Sequence, residues 1–463
     1  MAGNSSSWQR DEYRARLLNC RSLLETLRTM SDAPTEPGVP HLTTALTGPL
    51  LHLESHLLAH QTGIEAWLRA QWRETPAPFY ASVDLRNAGF KLAPVDTNLF
   101  PAGFNNLASE FMPLCVQAMQ SALERACPDA LGVLIVPESH TRNLFYLESL
   151  ATLAEIVVLA GYEVRIGSLL EDLSEPNEVA LPSGKRVLLE PLIRRDNRLH
   201  VDGFSPCAVL LNNDLSGGVP AILDGIEQPI VPPLDLGWWR RLKTEHFTEY
   251  RRVARQFAEL VDIDPWLIDP LFRNCGEIDF KNRDGEDCLA RNVDELLAEI
   301  RVKYAQHGID REPFVVVKAD AGTYGMGVMT AKSGDEVRAL NRKQRNKMAS
   351  SKGGHGVQKV ILQEGVYTFE TWTNPDNRES AVAEPVVYMI DRFVVGGFYR
   401  VHTGRGVDEN LNAPGMHFQP LAFHQSCNTP DPEREPDAEP NRFYAYGVIA
   451  RLALLAAARE LAS

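Results

Sequence analysis

The spacing of apolar positions predicts helices first and strands later. Tyr13, Leu17, Leu18, Leu24 and Leu27 recur at three- and four-residue intervals across Arg10–Met30, the period of a helix face. Ser31–Pro40, with three prolines and a glycine, breaks that pattern, and Leu50–Trp72 resumes it, giving a helical region over 1–78. From residue 79 the pattern changes. Asn106–Ala126 and Thr141–Ala160 read as helices, whereas Leu131–Pro137, Tyr162–Gly167, Val187–Leu189 and Ala208–Leu211 are short apolar runs that read as buried strands. Strands alternating with helices predict a parallel α/β sheet over 79–232. Such sheets place ligands at the carboxyl ends of their strands. Two polar runs stand there, Glu138–Asn143 and Asn212–Gly218. Pro229–Pro233 reads as a linker. Beyond it Trp238–Leu260 is a basic helix, and 233–463 mixes strands, helices and many glycines. The segment Ser82–Asn106 fits neither pattern: it is too polar for a core element and too aromatic for a disordered linker.

Charge narrows the field. With 47 basic and 61 acidic residues the net charge is −14, which disfavours nucleic acid or an anionic membrane as the main partner. The seven cysteines form no Cys-x-x-Cys pair and read as thiols in a reducing compartment. The most apolar run, Tyr446–Ala457, is cut by Arg451 and is too short to span a bilayer. A cytoplasmic protein is expected.

One stretch carries chemistry by itself. In Phe314–Val328 (FVVVKADAGTYGMGV) a β-branched strand delivers Lys318, and a loop with Gly322, Tyr324, Gly325 and Gly327 follows. Glycines let backbone N–H groups approach phosphate oxygens, and the lysine adds a point charge for the same oxygens. This is not a P-loop, because the lysine precedes the glycines. Ser333 and Glu336 then open a helix, and Arg338–Lys359 holds seven Lys/Arg and no acid, a local reversal suited to a triphosphate. In Lys359–Val366 (KVILQEGV) a strand runs into Gln363, Glu364, Gly365 and Val366, a crossing whose backbone can offer an acceptor and a donor to an adenine.

This order of features resembles the ATP-grasp superfamily, in its glutathione-synthetase branch. The resemblance implies a Rossmann-like domain followed by a C-terminal ATP-grasp domain, in an α/β and α+β chain. It also implies a first nucleotide lysine at Lys281, 37 residues before Lys318, and functional roles for Glu384, Asp391, Arg400 and Asn410. Four longer motifs are similar to the proteobacterial ATP-grasp type of glutamate–cysteine ligase: SVDLRNAGFKLAPVDTNLFPAGFNN, VPESHTRN, KADAGTYGMGV and DENLNAPGMHF. That resemblance implies joining of the γ-carboxylate of L-glutamate to the amine of L-cysteine with ATP and magnesium. Other acceptor amines, or a regulatory protein that only binds nucleotide, stay open.

Under this resemblance Lys281, Lys318 and the basic segment would face the triphosphate, and Arg400 the charge on an acyl phosphate. Hard oxygens for magnesium would come from Glu384, Asp408, Glu409, Asn410 and Asn412, although the Glu-x-Asn that often closes such a site is absent after Pro420. A zwitterionic amino acid needs a cation for its carboxylate and an acid for its ammonium. Asp84, Arg86, Asn87, Lys91, Asp96 and Asn98 supply both signs, with Arg142, Asn143, Asn212 and Asn213 at strand ends. On this reading Arg86→Lys would raise KM for one amino acid and leave that for ATP unchanged. For the segment 82–106, site and scaffold stay equally open. The sequence does not fix an oligomeric state.

Overall fold

The computed structural model describes residues 49–139, 143–322, 327–349, 357–374, 379–420 and 443–462. In chain order, helices α1 (Pro49–Ala59) and α2 (Gln61–Glu74) precede strands β1 (Tyr80–Asn87) and β2 (Leu92–Asn98). Next come α3 (Met112–Ala126), β3 (Gly132–Pro137), α4 (Leu144–Leu159) and β4 (Glu163–Ser168). The strands β5 (Asn177–Ala180), β6 (Arg186–Pro191), β7 (Ile193–Arg195), β8 (Arg198–His200), β9 (Ala208–Asn212) and β10 (Ile230–Val231) follow. The C-terminal half holds α5 (Lys243–Val261), β11 (Phe272–Glu277), α6 (Glu286–Gln306), β12 (Val315–Ala319), β13 (Val328–Ala331), α7 (Gly334–Arg338), α8 (Arg342–Met348) and β14 (Lys359–Glu364). It ends with β15 (Thr371–Thr373), β16 (Ser380–Ile390), β17 (Phe393–His402), β18 (His417–Pro420) and α9 (Phe443–Ala462).

This is a mixed α/β fold with three larger sheets. One has the order β10-β9-β3-β4-β6-β5 and is parallel except for β5, as the alternation of helices and strands predicts. Its inner strands β3 and β9 are buried at every position, which is why they read as unbroken apolar runs. The second sheet, β11-β14-β12-β13, is antiparallel and brings Lys318 on β12 beside Gln363 on β14. The third, β18-β17-β16-β1-β2 with β15 on β16, is also antiparallel.

The third sheet corrects the reading of Ser82–Asn106. Its first half is the buried hairpin β1–β2, a core element after all, because its Arg86 and Asn87 side chains are paired within the protein. The hairpin also crosses the boundary expected at residue 232, since β1 lies in register against β16 with Asp84 opposite Val386. The C-terminal apolar run is α9, buried in the main hydrophobic core, and its interrupting Arg451 makes a two-point ion pair with Glu65 (2.8 Å on each arm). Among the described residues no helix is long and apolar enough to cross a membrane. Cys115, Cys127, Cys207, Cys275 and Cys288 are free thiols.

Candidate functional site

Between the second and third sheets lies an open cavity. One wall is Val316, Lys318 and Ala319 of β12 with Val328 and Thr330 of β13. The Lys318 Nζ donates to Gln363 Oε1 and to the Val95 carbonyl, both at 2.7 Å. Burial pulls its ammonium down to about 8 against the attraction of Asp96, with Lys243 and Arg86 adding to the fall. The loop after it turns through Gly322 and Gly327 at φ of +93° and +62°, angles that a side chain would strain. Tyr324 and Gly325 lie outside the described residues.

The hinge after β14 is anchored rather than open. Glu364 turns its carboxylate inward to Lys91 Nζ (2.7 Å), Trp266 Nε1 and the Leu271 N–H (2.9 Å). Gly365 passes so close to Phe314 that a Cβ would lie 2.2 Å from the ring. The Val366 carbonyl accepts from Arg86 Nη1 (3.1 Å).

The middle of the cavity is a ladder of charge across three strands. On β16 and β17 Glu384 and Arg400 face each other in register, and a bulge after Asp84 in β1 interrupts the pairing with β2. Glu384 accepts from Arg86 Nε (3.0 Å) on one oxygen and from Arg400 on the other, while Arg400 Nη1 also reaches Asp84 Oδ2 at 2.9 Å. Burial works to raise Glu384, but the two guanidiniums hold it below the usual carboxylate range. Among the described residues Asp84 pairs with Arg400. Burial and the neighbouring Glu384 outweigh that pairing and push its carboxyl up.

A second chamber opens on the far side of this ladder and shares Asp84, Asp96, Arg400 and Asn412 with the first. It is bounded by Glu138 and Asp214, just past the carboxyl ends of β3 and β9, where the topology predicts a ligand. Aromatic rings from β17 and β18 close its other side.

The structure separates the candidate residues. It gathers Asp84, Arg86, Asp96, Lys318, Gly322, Gln363, Glu364, Val366, Glu384, Arg400, Glu409, Asn410 and Asn412 around the first chamber, with Asn98 on the second. It does not bring Lys281 there. That residue sits exposed in the surface turn closed by the Asp279–Asp284 bridge, with its N–H on Asp279 Oδ1. Lys91 is 1% exposed, consumed by Glu364 and the Asp269 carbonyl, so no substrate reaches it. Asn87 is spent on Glu370 and Tyr446, and Asn212 on Tyr80, Tyr146 and Pro101. Asn213 braces a turn through the Leu215 N–H, and Asn143 caps α4. Arg142 lies outside the described residues, as does 350–356 of the basic segment.

Lys243 is the residue the sequence reading missed. At the first position of α5 it sends its Nζ into the cavity, 2.9 Å from Asp96 and 4.0 Å from the centre of the Trp238 ring. The signal was the basic run Arg240-Arg241-Leu242-Lys243 before a helix, which spacing alone does not single out. Against burial, Lys243 and Lys318 pull Asp96 down to about 2.

Among the described residues no three His, Cys, Asp or Glu side chains converge as a metal site. Glu409 is engaged by Arg405 and the Gly406 N–H, and Asn410 Oδ1 takes the Asn412 N–H. Each Glu384 oxygen accepts one guanidinium N–H and keeps a lone pair. Magnesium needs only one or two protein carboxylates when substrate phosphates supply the rest. The donor set therefore fits a magnesium ion that arrives with a nucleotide.

The described residues thus join a cavity that holds two lysines and a carboxylate–arginine ladder to a second chamber through shared lining residues. The chain belongs to the glutamate–cysteine ligase family, whose model matches residues 54–461. A solved structure from Methylobacillus flagellatus KT, bearing the provisional name γ-glutamylcysteine synthetase, is 62% identical over 92% of this chain and 99% of that one, with a TM-score of 0.83. A glutathione synthetase-like effector of Globodera pallida shares 10% identity over 77% of this chain and 82% of its own, at a TM-score of 0.37. A D-alanyl-alanine synthetase A of Vibrio cholerae shares 10% over 62% and 73%, at 0.28. The search among curated proteins found no match.

Proposed function

We propose that the two chambers hold the two halves of an ATP-dependent ligation: nucleotide in the first, amino acids in the second, with the γ-carboxylate of L-glutamate phosphorylated at the seam and then attacked by the amine of L-cysteine. The observation that carries this reading is the shared set Asp84, Asp96, Arg400 and Asn412, which lines both chambers. A carboxylate does not condense with an amine unaided, because oxide would have to leave. Transfer of the γ-phosphoryl group makes phosphate the leaving group.

In this scheme Lys318 and Lys243 face the triphosphate, with Gly322 beside it. The hinge at Glu364–Val366 borders the adenine. Arg400 holds the charge that grows on the acyl phosphate. Asp84, held above its ordinary range at the seam, takes the proton that the acceptor's ammonium must lose before its nitrogen can attack. Glu384, Asn410 and Asn412 would hold magnesium, which supplies charge neutralisation on the transferring phosphoryl group.

The deciding experiment is ADP release over ATP and glutamate with each of the twenty amino acids as acceptor. Release with cysteine well above the rest supports the scheme, and release with none removes it. A second expectation comes from Lys318. A bound triphosphate favours the charged ammonium and raises its pKa, so ATP binds the protonated form better. Affinity for a non-hydrolysable ATP analogue should therefore be level below pH 8 and fall as pH rises through about 8, approaching about tenfold per pH unit. Titration from pH 6.5 to 9.5 checks it; a flat profile removes Lys318 from the phosphates.

A further inference from the structure

Helix α5 opens without a cap of its own. The residue before it, Leu242, is extended and brings no side-chain oxygen to the free N–H groups of the first turn. Asp320, 76 residues beyond Thr244, supplies what is missing. Its Oδ1 accepts from the Thr244 N–H and its Oδ2 from the Thr244 hydroxyl, each at 2.8 Å. Its carbonyl accepts from the Lys243 N–H at 2.7 Å, and its own N–H donates to the Lys359 carbonyl at 3.0 Å. The residue is 1% exposed. Asp320 therefore knots the start of α5 to the end of β12 and the start of β14. The body of α5 is fixed independently, because Phe247, Tyr250, Val253 and Phe257 are buried in the main core. What the knot adds is the first turn, the part of a helix that frays.

We propose that Asp320 is a positioning residue for the ligation, holding the first turn of α5 so that Lys243 meets the triphosphate beside Lys318. The proposal rests on the ligation scheme, which places the nucleotide in the first chamber. Lys318 leaves β12 just before Asp320, and Lys243 directly precedes the capped Thr244, so one residue governs the spacing of both cations. Lys243 and Lys318 are part of the described cavity wall and Asp320 is not, so it acts through Lys243. The two ammoniums repel each other, and their approach in the free enzyme has to be imposed. Asp96 imposes it at the tip of Lys243, and the knot imposes it at the backbone. A charged group displaced by about 1 Å can cost up to about a hundredfold in rate, so a frayed first turn is enough to matter.

The test is a double-substitution cycle on the full chain, read as affinity for a non-hydrolysable ATP analogue with magnesium. Asp320→Ala should weaken binding about tenfold where Lys243 is present, and by less than about twofold in Lys243→Ala, where the lysine it acts through is gone. In turnover KM for ATP should rise while KM for glutamate holds. Asp320→Asn keeps the knot, with its Oδ1 on the Thr244 N–H and its amide donating to the Thr244 hydroxyl, and should bind the analogue within about threefold of wild type. A cap that served stability alone would lower affinity equally in both backgrounds. That result, no loss in a folded Asp320→Ala, or a loss in Asp320→Asn as large as in Asp320→Ala overturns the proposal and leaves the ligation scheme standing. If Asp320→Ala does not fold, Thr244→Val, which deletes the hydroxyl bond alone, takes its place in the cycle and is read in the same way. Wild-type protein that binds no analogue, or Lys243→Ala that binds it as wild type does, overturns the placement of the nucleotide itself.

Discussion

Lys318→Ala should lower kcat/KM by at least about thirtyfold, the equivalent of ~2 kcal/mol of transition-state stabilisation, and should do so without unfolding the protein. The two halves of that expectation come from the same observation. In the free enzyme Lys318 is an uncomfortable cation: burial pulls its ammonium down to about 8, and Lys243 and Arg86 repel it, with Asp96 as the opposing attraction. Such a group is held in place for what it meets later. Removing it relieves the resting protein and deprives the triphosphate of a charge in a site where water screens little. The relief of the buried charge offsets the loss of its bonds to Val95 and Gln363, so the melting temperature should change little while ATP turnover collapses. A melting temperature that falls with activity would make Lys318 a structural lysine. Wild-type ADP formation would remove it from the phosphate site.

Legibility in the sequence followed the physical range of each signal. The parallel sheet was readable because β3 and β9 are buried on both faces, which leaves uninterrupted apolar runs that no surface element would tolerate. The place of Lys318 on the cavity wall was readable because the loop after it carries glycines at angles that need them. The hairpin β1–β2 was not readable as core. Its Arg86, Asn87 and Lys91 find partners about 180 to 360 residues away, and a polar side chain advertises neither its burial nor its partner. Lys281 and Lys243 show the same limit from opposite sides. The family resemblance picked the first, which the chain leaves on a surface turn. It passed over the second, which α5 carries into the cavity because the helix begins one residue before Thr244, bonded to Asp320. Glu364 was placed at a nucleotide hinge by its position after a strand, but its side chain serves as a buried anchor, a role visible only once Lys91 and Trp266 are beside it.

Arg86→Lys should raise KM for ATP together with that for at least one amino acid, lower kcat, and cost about 2–4 kcal/mol of stability. The substrate-binding alternative for this segment implied the opposite outcome, a free guanidinium fork for a substrate carboxylate and an undisturbed nucleotide site. In the structure the fork is already full. Its Nε is on Glu384 at 3.0 Å, Nη1 on the Val366 carbonyl at 3.1 Å and Nη2 on the Glu409 carbonyl, and the residue is 7% exposed. One side chain thus ties the segment after β14, the central carboxylate and the Asp408–Glu409 loop together. A lysine carries the same charge at a single point and cannot span three directions. Wherever its ammonium settles, at least one buried acceptor loses its partner, at about 1–3 kcal/mol each. Should Glu384 be the one deserted, Arg400 alone must neutralise it while still serving Asp84. The hinge and the acidic loop then lose their common brace, so defects should appear on both sides of the seam. Kinetics with ATP, glutamate and cysteine varied in turn, beside a melting curve, check this. A change confined to the KM of one amino acid, with wild-type stability, would restore Arg86 as a substrate ligand and show that the ties to Val366 and Glu409 carry no weight.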